Sequence, residues 1–311
     1  MAKTEEFYFE SSTGKNLLRA KKYIPENTNI KAVIQIAHGI AEHIDRYDEF
    51  MSFLADNGYV VVANDHLGHG KSISSEEEKG FFAEKDGWNH VVKDMVLLHD
   101  TVKKSYPNVP YVMFGHSMGS FLVRTFMIDY PEYYDAAIIS GTGHQSPMLV
   151  FGGNLIADIL SKFNGCKSDG QKLNDIAFGS YLNKIENPRT QYDWLSKDNS
   201  IVDKYGEDPL CGFIAKTGLY QDMMHGLKYI TNMNNIEKMD KSKPVYFMSG
   251  ADDPVGDYGK GVKKAYNCFK KAGLVDVMMR LYPEGRHEML NETNKEVAYQ
   301  DILNWLNDKV V

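Results

Sequence analysis

Val112-Met113-Phe114-Gly115-His116-Ser117-Met118-Gly119-Ser120 is the stretch on which the reading of the fold turns. Val109 to Phe114 is a short apolar run with Pro110 at its mouth, the pattern of a buried strand. Beyond Ser117, Phe121-Leu122-Val123-Arg124-Thr125-Phe126-Met127-Ile128 reads as a helix. A Gly-x-Ser-x-Gly spacing between strand and helix puts the serine on a sharp turn, which lifts its Oγ above the sheet edge. Gly115 and Gly119 are expected to be glycine because side chains there would collide as strand and helix cross. The same turn aims the Met118 N–H, at the helix start, into the space before the serine as a donor for an anion.

Working outward, the chain alternates strand and helix. Phe7 to Glu10 and Leu17 to Ile24 flank the turn Ser12-Thr13-Gly14-Lys15 and predict an antiparallel hairpin. Ala32 to Ala37 is a continuous apolar run of the kind buried on both faces of a parallel sheet. Tyr47 to Asn57 is helical by pattern and is closed by Gly58; Tyr59 to Ala63 is the next strand. Trp88 to Ser105 carries Val91, Val92, Met95, Leu98 and Val102 at helical spacing, and Asp135 to Ser140 is the strand after the elbow helix. From about Gly141 to Ser242 the alternation stops in favour of helical, turn-rich sequence, which marks an insertion after the sixth strand. It resumes with a strand at Pro244 to Ser249, a helix near Gly261 to Ala272, and a strand at Val275 to Tyr282. A last helix follows, opened by the capping box Thr293-Asn294-Lys295-Glu296. Such alternation gives an open, mostly parallel sheet whose chemistry gathers at the carboxyl ends of its strands. The expected division is a core of 1–141 and 243–311 with a helical cap, or lid, at 142–242.

Composition narrows the function classes. With 43% hydrophobic and 25% charged residues the chain is an ordinary globular one, and a net charge of −7 argues against a nucleic-acid partner. Three cysteines, Cys166, Cys211 and Cys268, are odd in number and far apart, which suggests neither a disulfide framework nor metal-ligand spacing. Met1 to Glu6 carry no apolar signal core and no run is long enough to span a bilayer, so a soluble, cytoplasmic protein is expected.

The strand-end rule locates partners for the serine. After the strand at 244–249 comes Gly250-Ala251-Asp252-Asp253-Pro254-Val255, and after the strand at 275–282 comes Pro283-Glu284-Gly285-Arg286-His287-Glu288. Both loops lie at the elbow's edge. A neutral hydroxyl is a poor nucleophile, so Ser117 needs a base; His287 can take its proton and return it to the leaving group. An aspartate behind the imidazole would fix its tautomer and stabilise the imidazolium. Asp252, Asp253 and Asp257 are all near; Pro254 bends the chain after Asp253 and leaves that carboxylate at the turn, which favours Asp253. Asp252 can instead be a turn-former bonded to its own backbone.

With these motifs in place, the chain resembles the α/β-hydrolases of the monoacylglycerol lipase and bacterial lysophospholipase group, often filed with the serine aminopeptidase-like hydrolases. The resemblance covers nearly the whole chain. It rests on His38-Gly39-Ile40-Ala41-Glu42-His43 with Arg46-Tyr47, Asp65-His66-Leu67-Gly68-His69-Gly70-Lys71-Ser72, Gly115-His116-Ser117-Met118-Gly119, Gly250-Ala251-Asp252-Asp253 and Arg286-His287-Glu288, in that order. It implies an α/β-hydrolase fold with Ser117, Asp253 and His287 as catalytic triad and the backbone N–H groups of Ile40 and Met118 as oxyanion hole. The resemblance also implies a polar glycerol site containing Glu42 and Arg46; where that group has a second histidine, this chain has Leu290. A loop ion pair is the plainer reading of Glu42 and Arg46. The Asp65 to Ser72 loop is expected to brace the site.

The expected function is a serine carboxylester hydrolase acting through an acyl-enzyme on a lipid-like ester of monoacylglycerol or lysophospholipid type, without cofactor or metal. In the insertion, Pro147 to Leu160 is more apolar than a surface helix needs. It could line an acyl channel through Leu155, make transient contact with a membrane surface, or simply pack the cap onto the body. Phe213 to Tyr220 with Met223, Met224 and Leu227 suits a pliable pocket or plain packing. An aminopeptidase would need a cap carboxylate cluster for a substrate amino group, and Glu186, Asp193, Asp198, Asp203, Glu207 and Asp208 are the available acids. A binding protein that has lost turnover is the remaining alternative.

Overall fold

The computed structural model describes residues 2–26 and 29–311; Met1, at the head of the amino-terminal stretch read above, lies outside them. Strands β1 (Lys3–Glu10), β2 (Leu17–Ile24), β3 (Val33–Ala37), β4 (Val60–Asn64), β5 (Tyr111–His116), β6 (Ala136–Ser140), β7 (Val245–Gly250) and β8 (Val277–Tyr282) form one eight-stranded sheet in the order β1-β2-β4-β3-β5-β6-β7-β8. β2 pairs antiparallel with both β1 and β4, and every pair from β4 to β8 is parallel. The helices are α1 (Asp48–Asp56), α2 (Gly87–Lys103), α3 (Met118–Asp129), α4 (Pro147–Asn164), α5 (Gln171–Phe178), α6 (Asn199–Glu207), α7 (Thr217–Thr231), α8 (Met233–Ile236), α9 (Lys260–Lys271) and α10 (Lys295–Lys309).

Strands β3 to β7 are buried along their whole length, which is why they read as unbroken apolar runs. Their side chains alternate between two cores. Val33, Ala37, Val62 and Met113 pack with α2, α3 and α9 through Met95, Leu122, Phe126 and Phe269. Ile34, Ile36, Val61 and Phe114 pack with α1 and α10 through Phe50, Leu54, Ile302 and Trp305. Helices on both faces force the loops that leave the strands' carboxyl ends onto one edge, where the site forms.

Two local readings change. β1 begins at Lys3 rather than Phe7, because cross-strand ion pairs hold its polar half in the ladder: Glu5 with Lys22 at 2.9 Å and Glu6 with Arg19 at 2.7 Å. The capping box at Thr293 is not formed: the residue before α10 is Asn294, and its side chain makes no capping bond. Buried Glu292 collects the local amides instead, accepting from the N–H groups of Thr293 (3.1 Å), Arg286 (2.9 Å) and Lys197 (3.1 Å).

Between β6 and β7 the described residues hold α4 to α8 and no strand, only an isolated bridge between Asp169 and Lys216. Part of this segment is tied to the catalytic-edge loops. Arg286 donates to the Asp193 and Ser196 carbonyls at 2.6 and 3.0 Å, the Glu288 N–H to the Leu195 carbonyl at 2.8 Å, and Tyr205 Oη to the Ala41 carbonyl at 2.9 Å.

Candidate active site

Ser117 links β5 to α3 with φ 53° and ψ −122°, a backbone region in which a non-glycine residue is strained by about 1–3 kcal/mol. The surroundings hold it there: its N–H donates to the Ser140 carbonyl at 3.0 Å, and its carbonyl accepts from Ser120 Oγ at 2.6 Å. A Cβ on Gly115 would stand 2.4 Å from the Gly119 carbonyl oxygen, the strand–helix collision expected. A Cβ on Gly119 would stand 2.0 Å from the Ala37 carbonyl oxygen, so that glycine serves the approach of α3 to the end of β3.

The loop after β3 is clamped from two sides. His38 Nε2 accepts from the His66 N–H at 3.0 Å, so Nδ1 carries the proton and donates to the Gly39 carbonyl at 2.7 Å. Because the peptide is planar and trans, the Ile40 N–H then points away from His38. The Gly39 N–H in turn donates to Glu42 Oε1 at 2.5 Å. The Met118 N–H begins α3, where no intrahelical acceptor exists. Ile40 and Met118 border one cavity together with Ser117.

His287 and Asp253 are buried, at 2% and 0% exposure. His287 Nδ1 donates to Asp253 Oδ2 at 3.0 Å. The carboxylate is fixed further by Ser249 Oγ at 3.1 Å and by the Val255 N–H at 2.9 Å, the turn that Pro254 makes. Asp252 points outward, its side chain 54% exposed and 3.7 Å from Lys197 Nζ. Among the described residues His287 Nε2 has no hydrogen-bond partner, and His287 lines the same cavity as Ser117; the bond between Ser117 Oγ and His287 Nε2 is not made in this structure, as is common before substrate binds. Burial opposes a charge on the ring, but Asp253, helped by Glu288 and Glu42, outweighs it and holds the pKa above the ordinary histidine value. His116, whose ring centroid is 4.6 Å away, is pushed down to about 4 by burial and by His287, and stays neutral.

Glu42 and Arg46 form an ion pair at 2.9 Å, and Arg46 continues to Glu288, which it grips through both nitrogens at 2.6 and 2.7 Å. Its guanidinium also lies 4.8 Å from the Tyr205 ring centroid. Burial raises the cost of charge on both acids, yet Arg46 holds each below the ordinary glutamate range. The chain of contacts therefore runs from the Gly39 N–H through Glu42 and Arg46 to Glu288, the residue beside His287.

Two cavities meet at Ser117. The smaller, about 330 Å³, is bordered by Glu42, His116, His287, Glu288, Trp194 and Tyr205 among others. The larger, about 610 Å³, is apolar and bordered by Phe121, Leu149, Val150, Ile156, Met223, Met224 and Leu227 among others. Ser117 and Ile40 border both.

Two sequence-based candidates are placed elsewhere. Leu155 is 51% exposed and borders neither cavity: the α4 residues that border the apolar cavity are Leu149, Val150, Gly153 and Ile156, and Leu155 lies off that face. Leu290 is buried in the core against α10 and its carbonyl accepts from Tyr299 Oη, so it does not face the polar cavity. Glu288 and Trp194 carried no assigned role in the sequence. A partner for Arg46 was the one available signal for Glu288; nothing local marks Trp194, whose ring centroid is 5.1 Å from that of His287. His43, Asp208 and Cys211 bring potential metal ligands within 4.8 Å of one another. His43 and Asp208 are already hydrogen-bonded at 2.9 Å and burial pushes the Cys211 thiol up, so the trio reads as a latch between the β3 loop and the inserted segment.

A sheet wound in this order, with its elbow serine at the carboxyl edge, makes the protein an α/β-hydrolase. The profile of the serine aminopeptidase S33 family matches residues 28–294, and the chain belongs to that family. It is similar to a highly thermostable carboxyl esterase from Bacillus coagulans solved in complex with glycerol, at 30% identity and TM-score 0.92 over 100% of both chains. It is 26% identical to the monoglyceride lipase of Mus musculus over 285 residues, 90% of this chain and 84% of that protein. It is also 26% identical to the monoacylglycerol lipase of Mycolicibacterium smegmatis over 293 residues, 90% of this chain and 89% of that one.

Proposed function

We propose that Ser117 is the nucleophile, His287 its general base and Asp253 the acid that orients His287, with the Ile40 and Met118 N–H groups as oxyanion hole. The protein is a serine ester hydrolase whose substrates are lipid esters of monoacylglycerol type. The observation that carries this reading is the junction of an apolar and a polar cavity at Ser117. An ester carbonyl seated there extends its acyl chain among Phe121, Val150 and Met224 and its alcohol toward Glu42 and Tyr205. His287 takes the Ser117 proton as Oγ attacks, and the tetrahedral oxyanion forms against the two backbone donors, each worth roughly 10²–10³ in rate. The proton then passes from His287 to the leaving alcohol, and water releases the acid by the same steps.

Aminopeptidase activity is disfavoured by what the inserted acids do. Asp193 accepts from Thr190 Oγ1 at 2.6 Å, Asp198 from the Ser200 N–H at 2.9 Å, Asp208 from His43, and Asp203 pairs with Arg189. None of these, nor Glu186 or Glu207, borders either cavity; Asp175, which borders the smaller one, is a single exposed carboxylate rather than a cluster. A complete hydrogen-bonded acid–base pair beside an unpaired His287 Nε2 disfavours a non-catalytic binding protein.

Residues 142–242 are read as a cap on a core of 1–141 and 243–311. Met148, Leu149, Phe151, Leu155 and Phe163 expose apolar side chains on α4, which fits transient contact with a lipid surface. Among the described residues no helix is long and apolar enough to cross a membrane, and three free thiols fit a cytoplasmic setting. A panel of p-nitrophenyl esters, monoacylglycerols and aminoacyl amides tests the assignment. Turnover of the lipid esters, lost in Ser117→Ala, is expected; preference for the amides would reject it.

A further inference from the structure

The charges around the smaller cavity have a sign. Glu42, Glu288 and Asp175 border it, and among the described residues no lysine or arginine does. Arg46 behind the wall supplies one guanidinium against the first two carboxylates. The Asp175 side chain, exposed on α5, is hydrogen-bonded only to Gln171 Nε2, at 2.6 Å, among the described residues. Lys79 lies outside, over the Phe213 ring, and is paired with Glu76 at 3.0 Å. The buried and unpartnered His287 Nε2 belongs to the same cavity, which marks it as a space where a polar substrate group is received. Tyr192, Trp194 and Tyr205 add aromatic walls.

Carboxylates in excess of cations, set among aromatic rings, attract an organic cation and repel an anion. A phosphate entering this space would lose its water and meet no free donor of opposite charge. An ammonium group would meet ring faces and unneutralised carboxylate instead.

Resting on the ester-hydrolase reading above, we propose that the alcohol-side cavity is an anion-excluding, cation-accepting head-group site. Esters whose alcohol is uncharged or carries an ammonium group are substrates, and esters whose alcohol carries a phosphate are excluded. Asp175 is its outer specificity determinant.

The test compares lauroylcholine, 1-lauroylglycerol and 1-lauroylglycerol 3-phosphate below their micellar concentrations, with p-nitrophenyl laurate as a head-group-independent control. The expected kcat/KM is at least as high for the choline ester as for the glycerol ester. The phosphate ester is expected to be slower by about 10- to 100-fold, the size of one or two close repulsions, with the gap narrowing as salt is added. Asp175→Lys should narrow the ratio between the glycerol and glycerol-phosphate esters, the ratio being read rather than either rate. Equal turnover of the phosphate ester, or a ratio unmoved by both salt and Asp175→Lys, overturns the proposal while leaving ester hydrolysis intact. Failure on p-nitrophenyl laurate as well would overturn the underlying function.

Discussion

On one side of Ser117 the wall is a string of buried charges, Glu42 to Arg46 to Glu288, each held by hydrogen bonds of 2.5 to 2.9 Å to named partners. On the other side the wall is Phe121, Ile156, Leu227 and two methionines, whose side chains can make only van der Waals contacts. The first can hold a small alcohol and a proton-transfer geometry in one place. The second can reshape around chains of different length, because methionine adapts where branched side chains do not. Precision is concentrated where bonds break, and tolerance where the chain is merely housed.

The largest expected effect lies on the polar side. Asp253→Asn removes the acceptor that keeps the His287 proton on Nδ1 and should lower kcat by about 10⁴, with Asp252→Asn close to unchanged. Comparable losses from the two variants would show that the hydrogen bond to His287 is not what orients it.

Next comes stability. Arg46→Met leaves Glu42 and Glu288 buried without their cation and should destabilise the fold by about 3–5 kcal/mol in denaturant titration. Met224→Leu, on the apolar side, should cost less than about 1.5 kcal/mol. Similar costs at the two sites would erase the contrast between the walls.

The apolar wall is probed by two neighbours on α4. Ile156→Trp should depress kcat/KM progressively with acyl length, by up to about 0.8 kcal/mol or roughly fourfold for each methylene excluded. Leu155→Trp should treat all chain lengths alike, because Leu155 borders no cavity. Chain-length selectivity from Leu155→Trp would mean that α4 presents a different face to substrate.

The smallest effect is on pH. His287 must be neutral to accept the serine proton, so kcat/KM should fall as pH drops through its pKa. That limb should lie above the ordinary histidine value, because Asp253, Glu288 and Glu42 favour the charged ring. Glu288→Gln removes one of these anions and should move the limb to lower pH, by less than about one unit. A limb that moves upward would contradict the sign of that interaction.

These contrasts also separate what the sequence makes legible from what only the folded chain brings together. The elbow, the parallel strands and the Asp253 turn are written in local patterns: two glycines at fixed spacing, apolar runs buried on both faces, a proline after an aspartate. The face of α4 was not legible, since Met148, Leu149, Phe151, Leu155, Ile156 and Ile159 leave few polar positions to set its phase. Leu290 stands where the resembling group has a second histidine, but the short helical turn Met289–Asn291 carries it into the core beneath α10. Glu288 and Trp194 carry no assigned role in the sequence because their partners, Arg46 and the His287 ring, are distant in sequence and meet them only where the loop after β3 and the segment between β6 and β7 come against the loop after β8. Thr293 matches a capping pattern, but Glu292 takes the Thr293 N–H that the box would give to Glu296.

The most direct test of the central claim, that Ser117 performs the chemistry at the meeting point of the two cavities, is covalent labelling with a fluorophosphonate read by peptide mass spectrometry. One adduct, on Ser117, is expected, with loss of turnover in step with labelling and neither adduct nor turnover in Ser117→Ala. An adduct on another residue, or ester turnover retained by Ser117→Ala with the fold intact, would contradict it.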